Sequence, residues 1–251
     1  MIYKTHNLVI DIGNSNSKWA VFNGKTLVYY QSAKQLKINV LSSLLKKYNI
    51  KNSTIASVNE EVTAIETFLK TTTNYLPFTT KITAGIVNNY QTNTTLGLDR
   101  WAKIIAVSSL FTNNCLIIDA GTCITYDVLT TKKEYLGGSI SLGIKMRFKA
   151  LHHYTKRLPL LNWDTEAKEI PKGLTTNTAI KSGVLQGITN EIEGFIALEN
   201  KKNNNLKVII TGGDAEFLYN QLKNGIFALQ IIYDPYLVLK GLNEAIAIKH
   251  V

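Results

Sequence analysis

The stretch IDIGNSNSKWAVF, residues 10–22, sets a carboxylate at the end of the first apolar strand and follows it with a glycine turn. A weaker copy, IIDAGTCITYDVL, lies at residues 117–129. Glycine lets the backbone approach a ligand closely, and the polar residues behind it offer N–H and O–H donors to phosphate oxygens. The carboxylate can hold a Mg²⁺ ion that bridges phosphates. One such turn is a weak signal, but two at equivalent places predict a nucleotide site.

The order of apolar segments around the two turns predicts an α/β fold made of two similar halves. In the first half we expect strands within residues 8–31, a helix at 35–48, a strand at 53–58, a helix at 60–72 and a short strand near 81–85. In the second half we expect a helix at 98–111, strands at 115–121, 125–130 and 134–142, a helix at 176–200, a strand at 207–213, a helix at 214–222, and a closing strand and helix within 231–249. The boundary falls near residue 98, which gives domains 1–98 and 99–251.

The overall composition is that of an ordinary globular protein, with 251 residues of which 45% are hydrophobic and 18% charged. No apolar run approaches the roughly 20 residues that a membrane helix needs, and the first residues do not read as a secretory signal. Two cysteines, Cys115 and Cys123, are too few for a disulfide framework and lack the spacing of a zinc site. We therefore expect a cytoplasmic protein with reduced thiols and no membrane partner.

The formal net charge of +10 raises the question of a nucleic-acid partner. The lysines are scattered in pairs along the chain, and no zinc-finger, RNP or helix-turn-helix signature accompanies them. This distribution favours a solvated basic surface over a nucleic-acid site. A basic surface also suits anionic small substrates such as nucleotides.

Two further segments carry candidate chemistry. The segment ITGGDA, residues 210–215, ends a strand with two glycines that leave backbone amides free for a nucleotide, or it is a plain connection to the next helix. The segment LGLDRWA, residues 96–102, contains Asp99, which could cap a helix beginning at Arg100 or could accept a proton from a substrate hydroxyl. In the second case Arg100 would hold an anionic group of the substrate. No P-loop or dinucleotide-binding fingerprint is present.

In combination these motifs resemble the type III pantothenate kinase family. The resemblance rests on the ordered set DIGNSNSKW, YQTNTTLGLDRW, IDAGTCITYD, YLGGSISLG, NTAIKSG, ITGGDA and PYLVLKGL, which extends over residues 8–243. It implies two duplicated ribonuclease-H-like domains of the actin, acetate and sugar kinase and heat-shock superfamily, with an ATP cleft between them. The implied activity is ATP-dependent phosphorylation of pantothenate to 4'-phosphopantothenate, the first step of coenzyme A biosynthesis.

The resemblance also implies roles for individual residues that contact ATP and cations. The first phosphate motif would bind ATP, with Asp11 holding Mg²⁺ through water; its members are Asp11, Gly13, Asn14, Ser15, Asn16, Ser17 and Lys18. Gly121, Thr122 and Thr125 match the second phosphate motif, whose Asp119 is associated in this family with an activating K⁺ or NH₄⁺ ion. Gly212 and Gly213 would approach the adenosine part.

On the substrate side, the resemblance implies that Asp99 is the catalytic base and that Arg100 binds the pantothenate carboxylate. The pantothenate pocket would also contain Tyr90, Gly97, Leu98 and Thr178. In this family Thr178 reaches the pocket from the partner subunit, so a homodimer is implied.

Four positions depart from the family pattern. Ser15 replaces threonine and keeps the hydroxyl, Cys123 replaces alanine, and Asn93 and Leu142 each replace a proline. Loss of a proline loosens a loop without removing a reacting group. We expect activity to persist and the geometry of the substrate loop to be less rigid.

Two alternatives belong to other functional classes. The first is a nucleotide-binding transcriptional accessory factor of the same fold without kinase activity. The second is a chaperone- or actin-like nucleotide switch, for which 251 residues leave no room for the extra domain or insertions. The pair Asp99-Arg100 favours a kinase, because a pure nucleotide binder needs no carboxylate to activate a hydroxyl.

Overall fold

The structure is a computed structural model that describes residues 5–57, 62–163, 169–203 and 205–249. Its strands are β1 (His6–Ile12), β2 (Ser17–Asn23), β3 (Thr26–Ala33), β4 (Ile50–Ser57), β5 (Asn74–Pro77), β6 (Val87–Asn88), β7 (Cys115–Ala120), β8 (Cys123–Leu129), β9 (Glu134–Leu142), β10 (Lys207–Thr211) and β11 (Ile231–Tyr233). Its α-helices are α1 (Ile38–Lys47), α2 (Thr63–Thr72), α3 (Leu98–Leu110), α4 (Ile144–His153), α5 (Thr176–Lys202), α6 (Ala215–Leu222) and α7 (Leu237–Lys249).

The chain forms two compact units. Unit 1 comprises residues 1–112, 133–135 and 236–251, and unit 2 comprises residues 113–132 and 136–235. No helix in the described part of the chain is both long enough and apolar enough to cross a membrane.

Unit 1 contains a sheet with the strand order β3-β2-β1-β4-β5. Strand β1 is antiparallel to β2 and parallel to β4, and its residues Leu8, Val9 and Ile10 are fully buried. Such an uninterrupted apolar run is typical of a central strand that is covered on both faces. The carboxyl end of β1, where Asp11 stands, therefore lies in the middle of the sheet edge.

Unit 2 repeats this arrangement around strand β7. Its strands follow the order β11-β10-β7-β8-β9, with β7 antiparallel to β8 and parallel to β10. Leu116, Ile117 and Ile118 are almost completely buried, and Asp119 follows them at the end of the strand. Each unit thus has a carboxylate-ending central strand, an antiparallel neighbour after a tight turn, and a parallel neighbour reached by a crossover. The predicted duplicated α/β fold is confirmed.

Unit 1 also contains a close crossing of helices α3 and α7. A Cβ atom added at Gly241 would lie 1.8 Å from the carbonyl oxygen of Ala102, so only glycine allows the two backbones to approach this far. Helix α3 lies wholly within unit 1. The boundary between residues 98 and 99, which was predicted from the sequence, separates the two duplicated halves and stays a prediction.

One predicted strand differs from the structure, and helix α4 and the short strand β5 were not predicted. The segment at residues 81–85 is not a strand: Ala84 and Gly85 have positive φ angles of 54° and 73°, and this turn leads into β6. Helix α4 was not predicted, because only Ile144 and Phe148 of its ten residues are buried and its apolar pattern is correspondingly weak. Helix α4 is nevertheless important, because it begins directly after Gly143, which packs on the turn between β7 and β8.

Candidate active site

The first phosphate turn joins β1 to β2 in unit 1. Asp11 and Lys18 are opposite each other in the antiparallel register, and the N–H of Gly13 donates to the carbonyl of Asn16 at 3.1 Å. Asp11 is only 9% exposed, whereas Asn14, Ser15 and Asn16 are exposed at the tip. The turn thus presents polar donors outward while its carboxylate is set back at the sheet edge.

The second phosphate turn joins β7 to β8 in unit 2. Asp119 lies opposite Thr125 in the antiparallel register and beside Thr211 in the parallel one. The N–H of Gly121 donates to the carbonyl of Cys123 at 3.0 Å, which closes the turn. The carboxyl ends of the parallel strands β7 and β10 meet at one edge, so Asp119 and the glycine pair after β10 are neighbours. The structure thus brings two segments singled out from the sequence, the turn after Asp119 and ITGGDA, to the same edge of the sheet.

The glycine pair after β10 has two distinct environments. Gly212 has a φ of 104°, and a Cβ atom added there would lie 2.4 Å from Asp119 Oδ1 and 2.3 Å from the carbonyl oxygen of Ala120. A Cβ atom at Gly213 would meet no atom within 4 Å. The N–H of Asp214 donates to the Ala120 carbonyl at 2.9 Å, which fastens the turn to β7. The positive φ angle and the close backbone contacts therefore require glycine at position 212, whereas the space beside Gly213 is open.

Each of these turns has a carboxylate that suits a cation shared with phosphates. Among the described residues no group of three or more His, Cys, Asp or Glu side chains could hold a metal ion by itself. Mg²⁺ is commonly bound through one or two carboxylates together with substrate phosphates and water, so single carboxylates such as Asp11 fit it. The missing Cβ of Gly212 allows Asp119 Oδ1 to lie close to the glycine backbone.

Asp99 stands in the first turn of α3 but does not cap the helix. The helix begins at Leu98 with Gly97 as its N-cap, and no side chain makes the capping hydrogen bond. A Cβ atom at position 97 would lie 2.6 Å from Asp99 Oδ1, so only glycine allows that oxygen to lie this close to the backbone. The capping interpretation of Asp99 is therefore wrong, and the carboxylate, which is one-third exposed, is available for another role.

Lys103, one helical turn beyond Asp99, was not recognised from the sequence. Its side chain is 0% exposed, and its Nζ lies 3.4 Å from Asp99 Oδ2. A buried ammonium group needs a compensating charge, so this contact fixes one oxygen of the carboxylate and leaves Oδ1 on the side of Gly97. The i, i+4 spacing of Asp99 and Lys103 was the available signal.

Arg100 is 5% exposed and lies in an aromatic cluster of unit 1. Its guanidinium carbon is 5.4 Å from the centre of the Tyr90 ring, and Tyr90 stacks on Tyr135 at 6.2 Å. Trp101 contacts Tyr135 edge-on and donates its indole N–H to the Ile82 carbonyl at 2.9 Å. The structure therefore brings together the predicted residues Tyr90, Gly97, Leu98, Asp99 and Arg100, and adds Tyr135 as the platform beneath Tyr90.

Thr178 belongs to the other unit, at the beginning of α5. It forms a capping box with Thr175: the N–H of Thr178 donates to Thr175 Oγ1 at 3.2 Å, and the N–H of Thr175 donates to Thr178 Oγ1 at 2.9 Å. The beginning of α5 also borders a groove of about 800 Å³, lined mainly by apolar residues of α4 and α5.

Arg147 holds the segment in which Leu142 replaces a proline. Its Nε donates to the Leu142 carbonyl at 2.9 Å and its Nη2 to Ser141 Oγ at 3.1 Å, and the guanidinium is paired with Glu191. The next residue, Gly143, donates its N–H to the Thr122 carbonyl at 3.2 Å. Side-chain hydrogen bonds therefore restrain the backbone beside the second phosphate turn, where a proline would have restrained it through its ring.

The family comparison and the sequence relatives point to the same family. Residues 7–198 match the family model described as type III pantothenate kinase. A type III pantothenate kinase from Bacteroides fragilis is 40% identical over 242 residues, which cover 95% of this chain and 96% of that protein.

Solved structures show the same fold. A crystal structure described as a Baf family transcriptional activator from Campylobacter jejuni has a TM-score of 0.61 at 26% identity and covers 97% of this chain and 98% of the other. A structure from Sinorhizobium meliloti described as a 2-dehydro-3-deoxygalactonokinase has a TM-score of 0.55 at 12% identity and covers 97% and 99%. The second likeness concerns the fold alone.

Proposed function

The chain belongs to the type III pantothenate kinase family and phosphorylates pantothenate with ATP, and from this premise we propose the role of each residue in the site. The observation that carries the proposal is the position of Asp99. Its Oδ2 lies 3.4 Å from the ammonium group of the buried Lys103, Oδ1 lies against the backbone of Gly97, and the side chain as a whole is one-third exposed.

In the proposed mechanism Asp99 is the general base. The oxygen of the pantothenate primary hydroxyl attacks the γ-phosphorus of ATP, its proton passes to Asp99 Oδ1, and ADP leaves as the bond between the γ-phosphorus and the bridging oxygen breaks. Anchoring the other carboxylate oxygen restricts the side chain to an orientation suited to proton transfer. Phosphoryl transfer depends mainly on positioning and charge. A single well-placed carboxylate is therefore the only group that the protein needs in order to activate the acceptor hydroxyl.

Arg100 and Tyr90 are proposed to bind pantothenate. The guanidinium of Arg100 can make paired hydrogen bonds to the substrate carboxylate, and its contact with the Tyr90 ring restrains its position. Gly97 and Leu98 would border the same substrate, since they lead directly into the helix that carries Asp99 and Arg100.

The phosphate turns are proposed to bind ATP. Backbone and side-chain donors from Gly13 to Lys18, and from Gly121 and Thr122, would contact phosphate oxygens, while Gly212 and Gly213 would approach the adenosine part. A divalent metal supplies neutralisation of the charge that develops on the phosphates. We propose Mg²⁺ held through water at Asp11, and K⁺ or NH₄⁺ at Asp119.

The transcriptional alternative is not favoured. The structural relative from Campylobacter jejuni carries a description as a transcriptional activator, but the sequence relatives at about 40% identity are kinases. A regulatory protein that only binds nucleotide has no need of a carboxylate anchored by a buried lysine.

The experiment that tests the proposed function is a coupled ADP-release assay. We expect ADP release to depend on pantothenate and to be much slower with a panel of other small hydroxy acids. Equal release without pantothenate, or nucleotide binding with no release at all, would favour the regulatory alternative.

We expect the activity to require Mg²⁺ and to rise when K⁺ or NH₄⁺ replaces Na⁺. The Asp119→Asn variant should lose this monovalent activation, because a neutral amide binds a cation more weakly than a carboxylate. The measurement is the initial rate against cation concentration at constant ionic strength. A wild-type rate that is indifferent to the monovalent cation would remove the role assigned to Asp119.

We expect a homodimer in solution, with Thr178 contributed to the partner's pantothenate site. Support comes from the apolar groove at α4 and α5, beside which Tyr154 is 82% exposed. The Tyr154→Glu variant should shift the mass measured by light scattering toward the monomer and lower activity. As a control, the equivalent change at Leu229, which is fully exposed outside the groove lining, should do neither.

An active wild-type monomer would contradict the dimer and the role of Thr178. The cytoplasmic location predicted from the sequence stays a prediction.

A further inference from the structure

The loop between β6 and α3 is fastened by a pair of asparagine side chains. Asn88 Nδ2 donates to Asn93 Oδ1 at 2.8 Å, and Asn88 Oδ1 accepts from the backbone N–H of Tyr90 at 3.0 Å. One side-chain amide thus holds both the residue that stacks on Arg100 and a second point further along the loop. Asn88 itself is fixed at its backbone, because β6 pairs with Glu134 and Tyr135 of β9.

Asn93 occupies the second position of a β-turn formed by Thr92–Thr95. The N–H of Thr95 donates to the Thr92 carbonyl at 3.0 Å, and the Thr95 hydroxyl donates to the same carbonyl at 3.0 Å. Proline is favoured at this position because its ring presets the φ angle that the turn requires. Asparagine has no such restraint in its backbone, so the side-chain bond to Asn88 becomes the restraint on this end of the loop.

We propose that Asn88 is a positioning residue for pantothenate, and that its hydrogen bond to Asn93 supplies the restraint that a proline at position 93 would otherwise supply. The inference rests on the proposed function, in which Tyr90 and Arg100 bind the substrate. Asn88 acts through Tyr90 and through the turn, without touching pantothenate. A loop that is ordered before binding loses less conformational freedom when the substrate binds, so the bond lowers KM for pantothenate.

The kinetic test compares Asn93→Ala, Asn93→Pro and Asn88→Ala in the full-length protein. Asn93→Ala should raise KM for pantothenate roughly five-fold, the factor that corresponds to one hydrogen bond of ordinary net strength. Asn88→Ala should raise it further, because Tyr90 also loses its acceptor. KM for ATP should stay unchanged. Asn93→Pro should remain within about two-fold of wild type, since the turn accepts proline at its second position.

A double variant and a neighbouring residue supply the controls. If the two asparagines act through one bond, the Asn88→Ala/Asn93→Ala variant should be no worse than Asn88→Ala alone. The Asn89→Ala variant removes an exposed side chain from the same loop and should leave both KM values at their wild-type level.

Hydrogen exchange of the ligand-free protein separates this inference from the proposed function. The peptide covering residues 87–96 should exchange faster in Asn93→Ala and Asn88→Ala than in wild type, and at about the wild-type rate in Asn93→Pro. This measurement needs no activity, so it tests the hydrogen bond between Asn88 and Asn93 even if the wild-type protein fails to release ADP with pantothenate. Unchanged exchange in both alanine variants, or an Asn93→Pro variant with the kinetic defect of Asn93→Ala, would overturn the inference.

Discussion

The Asp99→Asn variant is expected to lower kcat about 100-fold or more while KM for ATP stays near its wild-type value. Asparagine has nearly the same shape as aspartate but cannot accept the hydroxyl proton of pantothenate. The loss should therefore appear in the chemical step and not in nucleotide binding. Steady-state kinetics with both substrates varied give the two parameters separately.

The buried Lys103 requires a control for this variant. Removing the carboxylate leaves an ammonium group at 0% exposure without the partner that the structure gives it 3.4 Å away, so Asp99→Asn should also lower stability. The double variant Asp99→Asn/Lys103→Met removes both charges and should recover much of that stability. It should not recover activity, and this separates the catalytic role of Asp99 from its structural one.

Near-normal turnover of Asp99→Asn would remove Asp99 from the mechanism. Recovery of turnover in the double variant would be equally damaging, because it would mean that the single variant had failed only through the lost contact between positions 99 and 103.

The Gly212→Ala variant is expected to show the second large effect. At a φ of 104°, alanine is strained, and its Cβ would lie 2.4 Å from Asp119 Oδ1 and 2.3 Å from the Ala120 carbonyl oxygen. We expect a loss of about 2–3 kcal/mol in the free energy of unfolding. That corresponds to roughly 5–10 °C in Tm for a protein of this size. Displacement of Asp119 should also abolish most of the kinase activity.

Gly213→Ala is the matched control at the adjacent residue. An added Cβ meets no protein atom within 4 Å, so thermal unfolding should remain close to wild type. If the adenosine part approaches this backbone, KM for ATP should still rise several-fold. Wild-type stability and activity in Gly212→Ala would show that the contact between this glycine and Asp119 is not needed.

The fold could be predicted from the sequence because its central strands are distinctive. The runs that precede Asp11 and Asp119 are continuously apolar and end in a carboxylate and a glycine, so both halves were recognised. Helix α4 was missed because its exposed residues are mostly basic and only Ile144 and Phe148 face the core. The strand near residues 81–85 was wrong because the positive φ angles of Ala84 and Gly85 turn the chain there.

Site residues that belong to a sequence motif could be predicted. Residues that reach the site only through packing could not. Asp99 and Arg100 are adjacent in sequence, but Tyr135 reaches their cluster only through the pairing of β6 with β9. From the sequence we expected a looser backbone at the two positions where a proline is lost. The structure shows a side-chain hydrogen bond at each of them. Asn93 is held by Asn88, and the Leu142 carbonyl is held by Arg147. The partners in both pairs are only five residues apart, but no sequence motif indicates that these groups form hydrogen bonds.

The most direct measurement of the central claim is a quenched single-turnover reaction with ATP labelled in its γ-phosphate and excess wild-type enzyme. With pantothenate present, we expect the label to move to the primary hydroxyl of pantothenate. The Asp99→Asn variant should transfer it at least about 100-fold more slowly. Label that stays on bound ATP in the wild-type protein, or that moves equally fast in both proteins, would contradict the account.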